Sequence, residues 1–273
     1  MAINLKVQVF INPKKISITD RAFNYGDGLF ETILVKDNEP LHLSEHILRL
    51  HTGCKRLNIP SPSKKIIIDS IEKCIGNTKR CIIKIIYSRG CSEHGYSYEN
   101  NIIPIMYFIK KSKTNIKNEK LVKLGFSKYQ LSNNSYLSKI KHLNRLEQIL
   151  GASFVDETKF DNYILTDKNN NIIECVSSNI FFYKITKDKY NFITPNLCNA
   201  GVDGIMKTII MKFMKRNKMN LSVKEISKKD VPKYHGAFIC NSISGIQFVT
   251  KIGRYILNHD VSLERIFSEY VYE

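Results

Sequence analysis

Residues 20–31 have the sequence DRAFNYGDGLFE and lead directly into a segment that is typical of a β-strand. β-Branched and aromatic side chains dominate residues 29–35, and the polar residues 37–40 then predict a turn. Ser44 predicts a helix N-cap, and apolar residues recur at helical spacing until Pro60 ends the helix. A strand, a turn and an amphipathic helix in this order indicate a fold that mixes α and β elements.

The remainder of the chain continues this mixture. Further helices are predicted over residues 63–75, from Asp203-Gly204 onward, and over residues 261–272. Further strands are predicted over residues 81–89, 101–111, 121–127, 162–167, 171–184 and 236–241. Hairpins and helices without internal repeats predict an α+β or α/β chain rather than a doubly wound parallel sheet.

Two apolar stripes at helical spacing are expected to face the core, because residues three and four apart share a helix face. The first stripe consists of Leu143, Leu146, Leu150 and Phe154, and the second of Ile205, Ile209 and Phe213. Residues 112–120, SKTNIKNEK, are polar and charged and are the best candidate for a linker. They divide the chain into a predicted small N-terminal domain, 1–111, and a larger C-terminal domain, 121–273.

The composition excludes several classes of protein. Hydrophobic residues make up 43% of the 273 residues, which is a globular composition with enough apolar content for two cores. No run approaches the roughly 18 apolar residues of a membrane span, and the N-terminus lacks a signal-peptide pattern. The seven cysteines are scattered and never spaced C-x-x-C, which predicts reduced thiols and no metal site. We therefore expect a cytoplasmic protein with no membrane partner.

The net charge of 42 − 25 = +17 invites the hypothesis of a non-catalytic nucleic-acid-binding protein. The basic residues are spread along the chain, and the denser runs lack interleaved aromatic residues for stacking on bases. A solvated basic surface is therefore the better interpretation, and we expect no nucleic-acid partner. Such a surface still attracts anionic substrates.

Four local features favour chemistry on an anionic ligand, and each has a structural alternative. Arg49 lies three residues after His46 on one helix face, where its guanidinium suits a phosphate or a surface ion pair. The two glycines of residues 201–206 open a helix whose N–H groups suit a phosphate, or form an ordinary turn. Residues 241–245, NSISG, offer hydroxyl and N–H groups after a strand. Glu174 stands among apolar residues, where it either faces outward or has a buried partner.

Several motifs together resemble the fold-type IV enzymes that depend on pyridoxal 5′-phosphate. The segment at residues 20–31 is similar to the opening signature of that family, and further matches follow in the family's order. They are His46-x-x-Arg49-Leu50, Ser88-Arg89-Gly90, Lys141-His142-Leu143-Asn144-Arg145-Leu146, Glu174-x4-Asn179-Ile180-Phe181, Gly201-Val202-Asp203-Gly204-Ile205-Met206 and Cys240-Asn241-Ser242. The matches span nearly the whole chain.

The resemblance implies a small N-terminal and a larger C-terminal α/β domain, with the site between them and a homodimer as the unit. Lys141 would be the Schiff-base lysine and Glu174 the partner of the pyridine nitrogen, which keeps the ring protonated. The remaining cofactor contacts implied by the resemblance are Arg49, Ser242 and the backbone of Ile205, Met206 and Ile243, with Asn179 as support.

Within the family, the lysine motif resembles that of the aminodeoxychorismate lyases. Residues 140–148, IKHLNRLEQ, are identical to it, and Leu146 stands where branched-chain aminotransferases have tyrosine. Thr32 matches a lyase threonine and would act with Lys141 in catalysis. His94 stands where the lyase has arginine, which leaves the contacts to the substrate carboxylates open. Substrate contacts are expected from Phe30, His94 and Tyr96.

The implied reaction converts 4-amino-4-deoxychorismate to 4-aminobenzoate and pyruvate, a carbon–oxygen lyase step toward folate. The alternative on the same scaffold is an aminotransferase for D-amino acids or branched-chain amino acids.

Overall fold

The computed structural model describes residues 6–112, 120–153 and 159–270. The predicted linker lies outside the described residues over 113–119, as do Phe154 and the last two residues of the predicted C-terminal helix. Contacts divide the chain into one unit of Met1–Ile116 with Ile140–Asn144 and a second of Lys117–Lys139 with Arg145–Glu273. The predicted domain bounds place residues 140–144 in the second domain, whereas their contacts assign them to the first unit.

The first unit combines strands with three helices in its described part. The strands are β1 (Gln8–Ile11), β2 (Gly28–Lys36), β3 (Glu39–Pro40), β4 (Arg80–Ser88) and β5 (Ile105–Lys111). The helices are α1 (Arg21–Tyr25), α2 (Leu43–Leu57) and α3 (Lys64–Ile75). These strands form a sheet in the order β1-β5-β4-β2-β3, in which only the pair β1 and β5 is parallel. Because α2 packs on β2 and α3 on β4 and β5, one face of this sheet is buried.

The predicted helix over residues 63–75 is confirmed, and the Ser63 hydroxyl caps it by accepting the N–H of Ile66. The N-cap predicted at Ser44 is wrong. The cap of α2 is two residues earlier, at His42, and the Ser44 hydroxyl donates to the Glu45 carboxylate.

The second unit has one large sheet in its described part. Its strands are β6 (Leu121–Gln130), β7 (Asn162–Thr166), β8 (Ile172–Cys175), β9 (Asn179–Thr186), β10 (Lys189–Pro195), β11 (Asn220–Lys224), β12 (Gly236–Asn241), β13 (Gly245–Ile252) and β14 (Tyr255–Ile256). The helices are α4 (Leu146–Ala152), α5 (Ile205–Arg216) and α6 (Val261–Tyr270), with a 3₁₀ turn at Lys228–Lys233. The order is β11-β10-β9-β12-β13-β6-β7-β8, with β14 paired to β13.

The sheet of the second unit is buried on both faces, which explains the uninterrupted apolar runs in its central strands. On β9, Phe181 packs in a cluster with residues of α5 and α6, whereas Phe182 packs in a separate cluster on the other face. Among the described residues, no helix is both long and apolar enough to cross a membrane.

Three expectations about this unit need correction. The predicted strand over residues 171–184 is two strands, because a tight turn after Cys175 separates β8 from β9. In α5 the predicted stripe is confirmed at Ile205, which is buried, and Ile209 and Phe213 pack against the core only partly buried. The fully buried face continues instead through Met206, Ile210 and Met214. In α4, Leu146 is 74% exposed and Leu150 is 43% exposed, while Leu143 precedes the helix. Helical spacing alone gives a face, but tertiary packing decides whether that face is covered.

Candidate active site

The segment that carries Lys141 pairs with the start of β2 in the first unit. The N–H of Phe30 donates to the Lys141 carbonyl at 2.9 Å, and the N–H of Leu143 donates to the Gly28 carbonyl at 3.0 Å. This pairing fixes the backbone of Lys141 and places its ammonium 4.3 Å from the centre of the Phe30 ring. The predicted reactive lysine is therefore held over an aromatic face rather than extended into solvent.

The same face of the sheet carries a hydroxyl and a second amine. Side chains alternate along a strand, so Thr32 lies on the face of Phe30, and Lys84 on β4 is directly opposite Thr32. The Lys84 ammonium lies 5.5 Å from the Phe30 ring centre. Burial lowers the pKa of Lys84, and the nearby Lys111 lowers it further. Lys84 was not among the residues predicted from the sequence, although a lysine flanked by isoleucines in a strand was a usable signal.

The opposite face of β2 holds a buried ion cluster built on Glu31. Arg49 donates from Nε to Oε1 at 2.8 Å and from Nη2 to Oε2 at 2.5 Å, and His46 Nδ1 lies 2.6 Å from Oε2. Burial raises the pKa of the Glu31 carboxyl, but Arg49 and His46 overcome this and hold it at about 2. The Nε2 atom of His46 is buried without a hydrogen-bond partner among the described residues.

The cluster changes how Arg49 must be interpreted. The shared helix face of His46 and Arg49 was correctly predicted, but both side chains converge on Glu31. The guanidinium edge formed by Nε and Nη2 is thus engaged by a carboxylate rather than presented to a phosphate.

The loop of residues 94–97, predicted to contact substrate, is organised by the buried side chain of Arg21. The Arg21 guanidinium donates to the carbonyls of four successive residues, His94, Gly95, Tyr96 and Ser97, at 2.7–3.3 Å. Its Nε donates to Asp27, a carboxylate that also binds Arg89. Burial raises the pKa of Asp27, but the two arginines outweigh it and lower the pKa.

The two side chains predicted on this loop are exposed. The ring of His94 is 61% exposed and lies 3.1 Å from Glu99, and Tyr96 is 91% exposed. The loop backbone is therefore fixed by Arg21 while these side chains remain accessible.

The second unit holds the predicted partner of the pyridine nitrogen. Glu174 is only 4% exposed and lies on β8. Its Oε2 accepts the N–H of Val202 at 2.8 Å and the Asn179 amide at 3.5 Å. The outward-facing alternative for Glu174 is excluded by its burial. Asn179 also donates to the Val202 carbonyl and accepts the N–H of Gly204, so it links Glu174 to the start of α5.

The loop before α5 depends on its two glycines. Gly201 has a φ of +88°, and a Cβ there would approach Ile173 and Leu197 closely. At Gly204, an added Cβ would stand 2.0 Å from Oδ1 of Asn179. Gly204 caps α5 without a side-chain hydrogen bond, and the first helical residues are buried. Backbone N–H groups at such a helix start suit an anion.

The turn after β12 is held by Asn241. Its Oδ1 accepts the N–H groups of Ile243 and Ser244, and its Nδ2 donates to Ser178. The N–H of Ile243, predicted as a phosphate donor, is thus already engaged within the turn. Ile205, Met206 and Ser242 therefore remain as the predicted phosphate contacts of this unit.

The comparison with protein-family models gives one assignment over most of the chain. Residues 28–252 match the model described as Amino-transferase class IV. The chain belongs to this family. Its cofactor is pyridoxal 5′-phosphate, on which the class IV aminotransferases depend.

The names of relatives in this family indicate two kinds of activity, a lyase and an aminotransferase. An aminodeoxychorismate lyase of Vibrio harveyi is 30% identical over 240 residues, which cover 87% of each chain. A putative branched-chain-amino-acid aminotransferase of Methanocaldococcus jannaschii is 26% identical, over 92% of this chain and 88% of that protein. The crystal structure of a 4-amino-4-deoxychorismate lyase from Pseudomonas aeruginosa is 24% identical, with a TM-score of 0.85 and 94% of each chain covered. The last likeness confirms the fold-type IV architecture.

Proposed function

We propose that this protein is an aminodeoxychorismate lyase, which converts 4-amino-4-deoxychorismate to 4-aminobenzoate and pyruvate in folate biosynthesis. The observation that carries the proposal is the group on one face of β2 and β4, where Lys141, Thr32 and Lys84 surround Phe30. For one anionic substrate, Lys141 supplies an amine, Thr32 a hydroxyl and Lys84 a positive charge. The similarity to the Vibrio harveyi lyase supports the same reaction.

The residues of the second unit fit pyridoxal phosphate in two respects. Glu174 is a buried carboxylate, and a pyridinium N–H suits such an acceptor. The start of α5 has no side-chain cap, so the N–H groups of Ile205 and Met206 suit a phosphate. We assign Glu174 to the ring nitrogen, Ile205, Met206 and Ser242 to the phosphate, and Asn179 to support of Glu174. From the first unit, Lys141 would carry the cofactor, and Arg49 is assigned to the phosphate.

When bound, the cofactor supplies a protonated aromatic ring that accepts an electron pair from the substrate. Lys141 Nζ would take the proton from C4 of the substrate, as a general base. The C3–O bond then breaks, the carbocycle becomes aromatic, and enolpyruvate leaves. Lys141 can return the proton to the methylene carbon of enolpyruvate to give pyruvate.

Thr32 and Lys84 would orient the substrate on this face. A hydroxyl at Thr32 can hold the leaving enolpyruvate oxygen beside the Lys141 ammonium. Lys84 would pair with a substrate carboxylate. Phe30 gives both amines an aromatic surface, which favours cations.

The test is to follow both products with the purified, cofactor-loaded protein. We expect 4-aminobenzoate and pyruvate in equal amounts from aminodeoxychorismate. Lys141→Ala should lower kcat by about 10²-fold or more, because a proton carrier is lost. Borohydride should add the mass of the cofactor to the peptide with Lys141. Wild-type protein that acquires this mass but forms no 4-aminobenzoate would exclude the lyase.

Lys84→Met separates substrate binding from chemistry. Loss of a charged hydrogen bond should raise KM about tenfold or more, with kcat nearly unchanged. Lys36→Met is the matched control, because Lys36 is exposed at the end of the same sheet. Equal KM values for the two variants would remove Lys84 from the substrate site. Thr32→Val should lower kcat about 3–10-fold through one neutral hydrogen bond.

An aminotransferase is the second candidate, supported by the relative from Methanocaldococcus jannaschii. It predicts steady conversion of D-alanine or a branched-chain amino acid with 2-oxoglutarate. Turnover of one of these pairs that exceeds 4-aminobenzoate formation would favour it over the lyase.

We further propose that the protein acts as a cytoplasmic homodimer. Exposed apolar side chains on the edge strand β1, among them Phe10, support an interface between copies. All seven cysteines are free thiols, as expected in a reducing compartment. Light scattering after size-exclusion chromatography should give the mass of two chains. The mass of one chain would contradict the proposed dimer.

A further inference from the structure

The second unit contains a cavity that the proposed reaction does not use. It lies beside α5 and the edge strand β11, has a volume of about 520 Å³, and is lined by residues of this unit. Pockets of about 300–1,000 Å³ are typical of small-molecule sites. Its size therefore suits a ligand of one ring with short substituents.

The lining combines an apolar surface with a strong positive charge. Met211, Met219 and Leu221 contribute apolar side chains. The charged lining residues are Lys139, Lys207, Lys212, Lys215 and Asp203, which gives 4 − 1 = +3. Neither Lys139 nor Lys215 pairs with a carboxylate among the residues that the structure describes. A cavity of this kind favours an anion with an apolar body.

One of these lysines is built into the protein rather than lying on its surface. The Lys207 side chain is 6% exposed, and its ammonium lies 2.9 Å from Oδ1 of Asp203. The Asp203 side chain is 46% exposed, so the pair has a buried cation, Lys207, and a carboxylate that is accessible to solvent. Burial of a lysine is costly unless its charge is compensated, and a second anion beside it would add to that compensation.

We propose that this cavity binds a small aromatic carboxylate. The ring would lie on Met211, Met219 and Leu221, and the carboxylate would pair with the lysines of α5. The charge of the lining favours a carboxylate over a neutral ligand, and its methionines suit a flat ring. This site does not depend on the reaction proposed above.

The first experiment titrates benzoate into the cofactor-loaded protein labelled with ¹³C at the methionine methyl groups. The sequence has six methionines, so the spectrum can be assigned with Met→Leu variants. Saturable shifts are expected for Met211 and Met219 but not for Met106, which is buried in the first unit. Benzamide, which has no charge, should bind at least about tenfold more weakly. If Met211 and Met219 do not move, or if benzamide binds equally well, the proposal is wrong.

The second experiment removes charge without disturbing the core. The double variant Lys212→Ala and Lys215→Ala changes two exposed residues of a helix, where alanine is favourable. It should weaken benzoate binding at least about tenfold. The control is Lys224→Ala with Lys229→Ala, which removes the same charge from exposed positions outside the lining. Equal affinity in the two double variants would overturn the proposed site.

Discussion

The two units position their site groups by different physical means. In the first unit, charged side chains position them: Glu31 pairs with Arg49 and His46, and the Arg21 guanidinium donates hydrogen bonds to the carbonyls of the loop at residues 94–97. In the second unit, amide groups and glycines do so, through Asn179 and Gly204. The first arrangement depends on charge and therefore on pH, whereas the second depends on the space around the backbone.

The largest effect is expected from removing the charge of Glu31, which pairs with Arg49 and His46 in the first unit. Glu31→Gln leaves Arg49 buried without its carboxylate, and breaking such a pair costs about 3–5 kcal/mol. Urea unfolding at pH 7 measures this loss. The control Glu72→Gln, at an exposed position on α3, should change the free energy of unfolding by less than about 0.5 kcal/mol. Similar values for both variants would mean that the cluster is not held by charge.

The pH dependence of the first unit provides a second test. The pKa of Glu31 is about 2 in the folded protein, below its ordinary value of 4.5. Its stabilisation is therefore fully present above pH 4.5 and is lost as the pH falls toward 2, by an amount on the order of 3 kcal/mol. The stability difference between wild type and Glu31→Gln should accordingly shrink over this window. Parallel stability curves down to pH 3 would contradict this.

In the second unit, the contact between Asn179 and Gly204 should instead be disturbed by an added methyl group. In Gly204→Ala the new Cβ would collide with Oδ1 of Asn179, and overpacking of this kind costs about 1–3 kcal/mol. We expect a lower melting temperature and weaker retention of the cofactor, read from its absorbance. Gly95→Ala is the control, because nothing lies within 4 Å of a Cβ at that position. A Gly204→Ala protein that keeps wild-type stability would show that Asn179 moves aside easily.

The smallest effect is expected where the charge is kept and only its geometry changes. Arg21→Lys preserves the pairing with Asp27 but loses the planar fork that reaches four carbonyls, at a cost of about 1–2 kcal/mol. Cleavage by chymotrypsin after exposed Tyr96 should become several-fold faster. Arg265→Lys, at an exposed position, should leave the cleavage rate unchanged. No change in rate for Arg21→Lys would mean that other contacts fix the loop.

The sequence by itself determined the family and the kind of many of the elements, although the strands β10, β11 and β13 were not predicted from it. The strand at residues 29–35 and the helix at residues 63–75 follow from local side-chain periodicity and capping. The glycines at 201 and 204 and the lysine motif around Lys141 were also recognisable, because backbone freedom and reactive groups are properties of single residues or short runs.

Only the tertiary structure decided which charged groups meet. Glu31 and Arg49 are 18 residues apart, and Thr32 faces Lys84 through strand register. The return of Lys141 to the first unit and the burial of Lys207 beside a cavity likewise depend on packing. Periodicity encodes which way a side chain points along its own element. It does not encode which distant element lies opposite, because that choice is made by burial of the whole sheet and its helices.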